Sequence, residues 1–400
     1  MLEAAKADHG LIGLFARFLR FGLLAWGGPV AQIAMIRREL VDEKQWLDPA
    51  RFNRLLAVYQ TLPGPEAHEL CVHLGMMRRG RVGGLLAGLG FMLPGLLLML
   101  ALSWMYTKLD VDQPLVAAAL LGMQVGVLAL IVRATHRIGE HVLRDRWLWA
   151  SALLVGAAAL VGVAFWITLP AAGLTCALVS SGRRLLGAAV IVVAAALAMA
   201  TGVAALDVSL SAATLVSSGS VAAFPLFLSG LKAGLLTFGG AYTAIPFVRG
   251  DAAQRGWIDD STFLDGLALS QVIPAPLIIF ATFVGFQAGG LSGALAMTAG
   301  VFLPAFSFTL LFFDGLERVI EDVRLHRFLD GVAAGVVGLI AATTLQLALG
   351  LTRTIPSSLP ALLIFAAAAI ILYRSRSRLA VPLVVILSAV AGTVAFAGAR

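Results

Sequence analysis

The chain of 400 residues is 60% hydrophobic and 13% charged, against about 25% charged in soluble globular proteins, which excludes an ordinary soluble domain. A formal charge of +7 would suggest nucleic acid in a soluble protein, but here the basic residues cluster at the ends of apolar segments and no basic face is long enough to track phosphates. Recurring apolar runs instead predict an all-α polytopic membrane protein, in the inner membrane, with about 10–13 membrane segments.

In chain order, the stretch MLEAAKADHGLIGLFARFLRFG has no cleavage site and is expected to be mature sequence leading into a first membrane helix. Two motif segments follow, 11–36 and 55–77, each of which either crosses the membrane or dips in and returns. Apolar helices are predicted over 82–106 and 114–132, and another apolar run covers 153–166. The run 185–206 reads as an extra helix ahead of a second set of motif segments. Cys71 and Cys176 have no partner spacing, so neither a metal site nor a disulfide is expected. No GxxxxGK[ST] phosphate loop is present, and no cofactor is expected.

The motif segments are duplicated. FGLLAWGGPVAQIAMIRREL at 21–40 matches KAGLLTFGGAYTAIPFVRGD at 232–251, pairing Arg20 with Lys232, Gly27–Gly28 with Gly239–Gly240, and Arg37 with Arg249. After a one-residue slip WLDPARF matches WIDDSTF, and Gln60, Pro63 and Pro65 match Gln271, Pro274 and Pro276. Gly75, Gly80, Gly83, Gly90 and Leu93–Pro94 then match Gly285, Gly290, Gly293, Gly300 and Leu303–Pro304. The expected division is a first repeat at 1–183, a connecting helix and linker at 184–222, and a second repeat at 223–400.

Loop charges orient the copies. In the first, Arg78, Arg79 and Arg81 precede the helix over 82–106, and Arg133, Arg137, Arg144 and Arg146 follow the next one; the loop between holds Lys108 with Asp110 and Asp112. In the second the order reverses: 286–292 has no Lys or Arg, whereas 314–327 holds Arg318, Arg324 and Arg327. Cytoplasmic loops collect Lys and Arg, so the copies are expected to be inverted. Basic clusters at both ends of 55–77 favour a re-entrant path there.

Inverted repeats with interrupted helices are a transporter architecture, with the substrate site where the breaks meet. The breaks are Gly27–Gly28–Pro29, Pro63–Gly64–Pro65, Gly239–Gly240 and Pro274–Ala275–Pro276. Pro65 and Pro276 suit a first helical position, leaving free amides and the positive dipole end to attract an anion. The bland alternative is that the breaks only kink helices for packing. Arg20 and Lys232, each two turns before a Gly–Gly pair, are costly cations in apolar segments; they bind substrate or snorkel to headgroups. Gln60 and Gln271 either donate to an oxyanion or tie off carbonyls freed by proline. Glu66, His68, Glu69 and His73 occur in the first copy alone. On a helix Glu66, Glu69 and His73 share a face and His68 points away. A carboxylate beside an anion must protonate when the anion arrives, so Glu66, Glu69 and His68 are the candidates for proton coupling. The alternative for these carboxylates is helix stabilisation.

The pattern GGP, RRE, WLD, QTLPGPEA and LPG, followed by GLLTFGGAYTAIPFV, GWI and ALSQVIPAPLIIFATFVG, resembles the chromate ion transporter family, ChrA-like, as a long two-domain member. That family more often has Gln where Glu69 stands and Pro-Gly-Pro where this chain has Pro274–Ala275–Pro276. The resemblance implies a secondary transporter, not an enzyme, that exports chromate under the membrane potential, with proton antiport as a weaker expectation. Sulfate or another oxyanion is the alternative solute. A membrane oxyanion reductase is the alternative of another class; haem-attachment, cysteine-cluster and dinucleotide motifs are missing from the sequence. Expected partners are chromate, with sulfate as mimic, membrane lipid and a second copy in a homodimer, and no nucleic acid.

Overall fold

The computed structural model describes residues 10–62, 64–111, 113–211, 221–238, 240–311, 323–375 and 377–398. Pro63, Asp112, Gly239 and Arg318 therefore lie outside the described residues. Fifteen α-helices are described, with no extended strand among the described residues. Contacts divide the chain into two compact units that draw on both sequence copies. One comprises Met1–Arg133, Ser220–Phe313 and Leu351–Arg400; the other comprises Ala134–Gly219 and Asp314–Gly350.

The first unit is built from hairpins that turn at the breaks. Helix α1 (Leu11–Leu23) ends before Gly27, whose φ of +90° only glycine adopts without strain. Helix α2 (Gly28–Arg37) and a π-turn over Arg38–Glu43 lead back, bringing Glu39 onto Arg20. Helix α3 (Pro49–Thr61) starts at Asp48, whose carboxylate accepts the Arg51 amide at 2.9 Å. That hydrogen bond holds the exposed Asp48 carboxyl below its usual range.

Helix α4 (Glu66–Tyr106) is folded back on itself. Backbone angles leave the helical region at Arg79 and Gly80, the latter at φ +59°, and the two arms touch where side chains are missing. A Cβ on Gly75 would fall 2.4 Å from the Gly83 carbonyl oxygen. Arg78, at the end of the first arm, lies 4.3 Å over the ring of Trp46, which stands just before α3. The chain thus enters along α3 and returns to the same end along the first arm.

The second copy repeats these devices. Helix α9 (Ala223–Leu235) leads to Gly240 at φ +126°, a 3-10 turn over Ala241–Ala244 and helix α10 (Ile245–Gln254). Asp251 on α10 pairs with Lys232 on α9, nineteen residues apart as Arg20 and Glu39 are. Helix α11 (Asp260–Gln271) is capped by Asp259, the repeat equivalent of Asp48. A 3-10 turn over Leu277–Ile279 opens helix α12 (Phe280–Leu311), which reverses at Gly289–Gly290 with Gly285 against Gly293. Gly22 packs on Pro94 as Gly234 packs on Pro304.

The copies approach from opposite ends. Tyr106, at the far end of α4, meets Asp265 near the start of α11, and Ser103 accepts a hydrogen bond from Gln287, near the reversal of α12. The exit of one copy's long arm therefore lies beside the entrance of the other copy's hairpin. The first part of helix α5 (Pro114–Val142) completes this unit with the last two helices of the chain, Ser358–Arg374 and Ala380–Phe396. Ser388 on the last helix closes against Gly122 and Gly126.

The second unit holds helices α6 (Arg146–Leu160), α7 (Phe165–Ser180) and α8 (Arg184–Ser211), with parts of α5 and of α13 (Val323–Thr352). Small residues bring its helices together, with Gly156 against Gly338 and Gly331 against Gly173, the packing that membrane helices use in place of a hydrophobic drive. A cavity of about 190 Å³ is lined by Asp145, Cys176, Arg184, Arg327 and Asp330 among others. Across the chain, α4, α5, α12 and residues 325–352 of α13 are long and apolar enough to cross a bilayer. The expected connecting helix over 185–206 is α8.

Candidate functional site

The breaks of the two copies meet inside the first unit, each against the other copy's opposite break. The Gly64 amide donates to the Thr237 carbonyl at 2.8 Å, joining the Pro-Gly-Pro break of the first copy to the glycine break of the second. The repeat equivalents of those two residues are Ala275 and Ala25. Their carbonyls are bridged by one side chain, the buried amide of Gln32, at 3.1 Å to Ala275 and 2.9 Å to Ala25. Gly95 keeps the junction tight, since a Cβ there would fall 2.5 Å from that of Ala275.

Elementary electrostatics acts in both directions at this junction, with uncapped helix starts set against the buried Glu66 and Glu69 in the first turn of α4. Four helical segments start at it: α2 after Gly27, α4 after Pro65, the 3-10 turn after Gly240 and the turn at Leu277 after Pro276. None of the four has a side-chain cap. The starts of α3 and α11, by contrast, are capped by Asp48 and Asp259. Uncapped starts leave amide donors and dipole ends unmatched by any carboxylate cap. Pro65 stands at the N-cap of α4, one position before the first helical position expected of it, because Glu66 is the first residue with helical geometry.

Glu69 is wholly buried beside this junction. A Cβ on Gly64 would fall 2.7 Å from its Oε1, so Gly64, at φ +152°, is shaped both by its backbone and by this carboxylate. Neither Glu69 oxygen has a hydrogen-bond partner among the described residues. Glu66 is also buried, one turn away. The Nε2 of buried Gln271 is a donor without a partner among the described residues. Gln60, its repeat equivalent, is exposed on α3. His73 shares a 2.9 Å hydrogen bond with the Tyr59 hydroxyl. His68 lies away from the carboxylates, with ring centroids 4.9 Å from Phe302 and 4.7 Å from Phe306.

The expected cations are placed differently from the breaks. Arg20 and Lys232 pair with Glu39 and Asp251 and do not point free charge at the junction. Arg249 pairs with Asp260 at 2.7 Å. Of the expected residues, the structure brings Gly64 and Ala275 to the junction, with Glu69 against Gly64; Gly27 packs against Arg378, Gln60 is exposed, and His68 lies among Phe302 and Phe306. Residue-by-residue reading missed Gln32, Thr237, Glu39 and Asp251. For the last two the signal was present: an acidic residue occupies the same place in both copies.

The family model described as chromate transporter matches residues 12–199 and 224–393. The chain is 59% identical over 395 residues to the chromate transport protein of Pseudomonas aeruginosa, covering 98% of this chain and 94% of the relative. It is 30% identical over 389 residues to the chromate transport protein of Cupriavidus metallidurans, covering 95% and 92%. An uncharacterised transporter of Bacillus subtilis, YwrB, is 28% identical over 158 residues, covering 39% of this chain but 78% of that shorter relative. No solved structure matches the chain.

Proposed function

Because the chain belongs to the chromate transporter family, we propose that it exports chromate across the bacterial inner membrane, with the junction of the four breaks as the anion site. The convergence of uncapped helix starts from both copies carries this reading. Chromate is a tetrahedral dianion, and leaving water is costly unless preorganised donors replace its hydration. The helix starts at Gly28, Glu66, Ala241 and Leu277 and the Gln271 amide are donors of the right kind. Arg20 and Lys232 join the site by exchanging Glu39 and Asp251 for the arriving dianion.

Direction follows from magnitude. A charge crossing the membrane changes energy by about 2.3 kcal/mol per 100 mV, so two negative charges leaving against about −150 mV gain about 7 kcal/mol. That is worth about five decades of concentration ratio. The potential alone can drive export, and uptake would need strong coupling to cations. Transport proceeds by rocking of one repeat against the other about the fixed site. Protonation of Glu69, assisted by Glu66, offsets the repulsion between carboxylate and anion, so the arriving anion draws a proton onto the site.

Chromate uptake into inverted vesicles from cells making this protein tests the reading. It predicts uptake that rises with an inside-positive potential, is competed by sulfate, and is lost in Gln271→Leu and Gly64→Ala. Vesicles that take up no chromate above background would end it.

A further inference from the structure

A second buried carboxylate lies apart from the junction, at the edge where the copies meet. Asp265 on α11 is 2% exposed, inside a hairpin whose neighbouring positions are apolar. Both its oxygens are engaged from the first copy: the Tyr106 hydroxyl donates to Oδ2 at 2.8 Å, and the Gln124 amide donates to Oδ1 at 2.8 Å. The same amide reaches the Ser261 hydroxyl at 2.9 Å. Ser261 is exposed and lies one turn before Asp265, giving the cluster an outlet. The repeat equivalent of Asp265 is Arg54, so this carboxylate exists in one copy alone.

Few other charges face it. Helix α4 presents Tyr106 and α5 presents the neutral Gln124. Helix α10 presents Arg249, bound to Asp260, and Asp251, bound to Lys232. Asp259 caps α11 itself. Helix α12, the turn Leu277–Ile279 and the helix Ala380–Phe396 carry no ionisable side chain.

We propose that Asp265 is a proton-binding site whose occupancy is set by the contact between the copies. The inference rests on the rocking motion of the preceding section. With the copies together, two donors stabilise the carboxylate. When the copies part, Tyr106 and Gln124 leave with the first copy, and a carboxylate among apolar side chains takes a proton from water reaching it past Ser261. Closure restores the donors and returns the proton to water. The phenol accommodates either state, because its oxygen accepts as readily as its proton donates. A metal ion is disfavoured, since both carboxylate oxygens face donors.

The test uses full-length protein in liposomes, with the potential clamped and chromate flux followed under imposed pH gradients. Wild-type flux should respond to the gradient. Asp265→Asn should keep flux under the potential and weaken that response, leaving the part set by Glu69, while Asp265→Glu should retain it in full. Tyr106→Phe removes one donor and should move the pH profile upward by about one unit, a shift that a merely structural role would not cause. An unchanged gradient response in Asp265→Asn overturns the proposal. If that variant does not fold, an unshifted profile in Tyr106→Phe overturns it. A response to a sodium gradient in place of pH also overturns it. Absence of wild-type chromate flux would instead strike the proposed function.

Discussion

The side-chain amide of Gln32 donates to the Ala275 carbonyl at 3.1 Å, across 243 residues of sequence and between the two copies. With its second bond to Ala25 it does for one pair of breaks what the Gly64–Thr237 backbone bond does for the other. The junction therefore has an approximate two-fold relation, completed on one side by backbone and on the other by a side chain.

Replacing Gln32 with Leu should leave the Ala25 and Ala275 carbonyls buried without their donor. The expected cost is about 1–3 kcal/mol, seen as a lower unfolding temperature of the detergent-solubilised protein. Chromate flux should fall by more than the loss of folded protein explains, because the breaks lose their register.

Gly95 should tolerate no larger residue while Ala275 stands opposite. Gly95→Val should strain the junction by about 1–3 kcal/mol. Adding Ala275→Gly removes the opposing methyl and should recover part of both stability and flux. A double-mutant cycle with no coupling between the positions would show that they do not touch during transport.

The pairs Arg20–Glu39 and Lys232–Asp251 should matter more to transport than to stability. Arg20 is 58% exposed along its side chain, and such pairs contribute about 0–1 kcal/mol. Glu39→Gln should change unfolding by no more than about that amount. It should also free Arg20 and change the chromate concentration for half-maximal flux, as should Asp251→Asn through Lys232.

Much of this was legible in the sequence. The duplication fixed where every break would fall, because Gly, Pro and Gln kept their order in both copies. The loop arginines cluster at the two ends of 55–77, which the contact of Arg78 with Trp46 shows to lie close together. What escaped was pairwise. Gln32 matters through a carbonyl 243 residues away, and its repeat equivalent is Ala244, so no symmetry pointed to it. Arg20 and Lys232 looked like unmatched charges because their partners lie across a turn that sequence does not draw. Asp265 escaped because Tyr106 and Gln124, which meet it, lie 159 and 141 residues away in the chain. The compact units also cut across the copies, since α6 and α7 pack with α13, whereas the last two helices join the first unit.

Cysteines placed one at a time at positions 46, 78 and 108, in a chain with Cys71 and Cys176 replaced by Ser, should report the path of the chain. Positions 46 and 78 should label from one side of the membrane and 108 from the other. Position 257, the equivalent of 46, should label from the side of 108. Labelling of 46 and 257 from a common side would remove the inversion.

Equilibrium binding of radiolabelled chromate to the purified protein bears most directly on the shared site. One dianion per chain should bind, and binding should weaken by at least about tenfold, or about 1.4 kcal/mol, with Gly64→Ala in the first copy and equally with Gln271→Leu in the second. Two independent dianions per chain, or binding that survives both substitutions, would contradict a single site built by both copies.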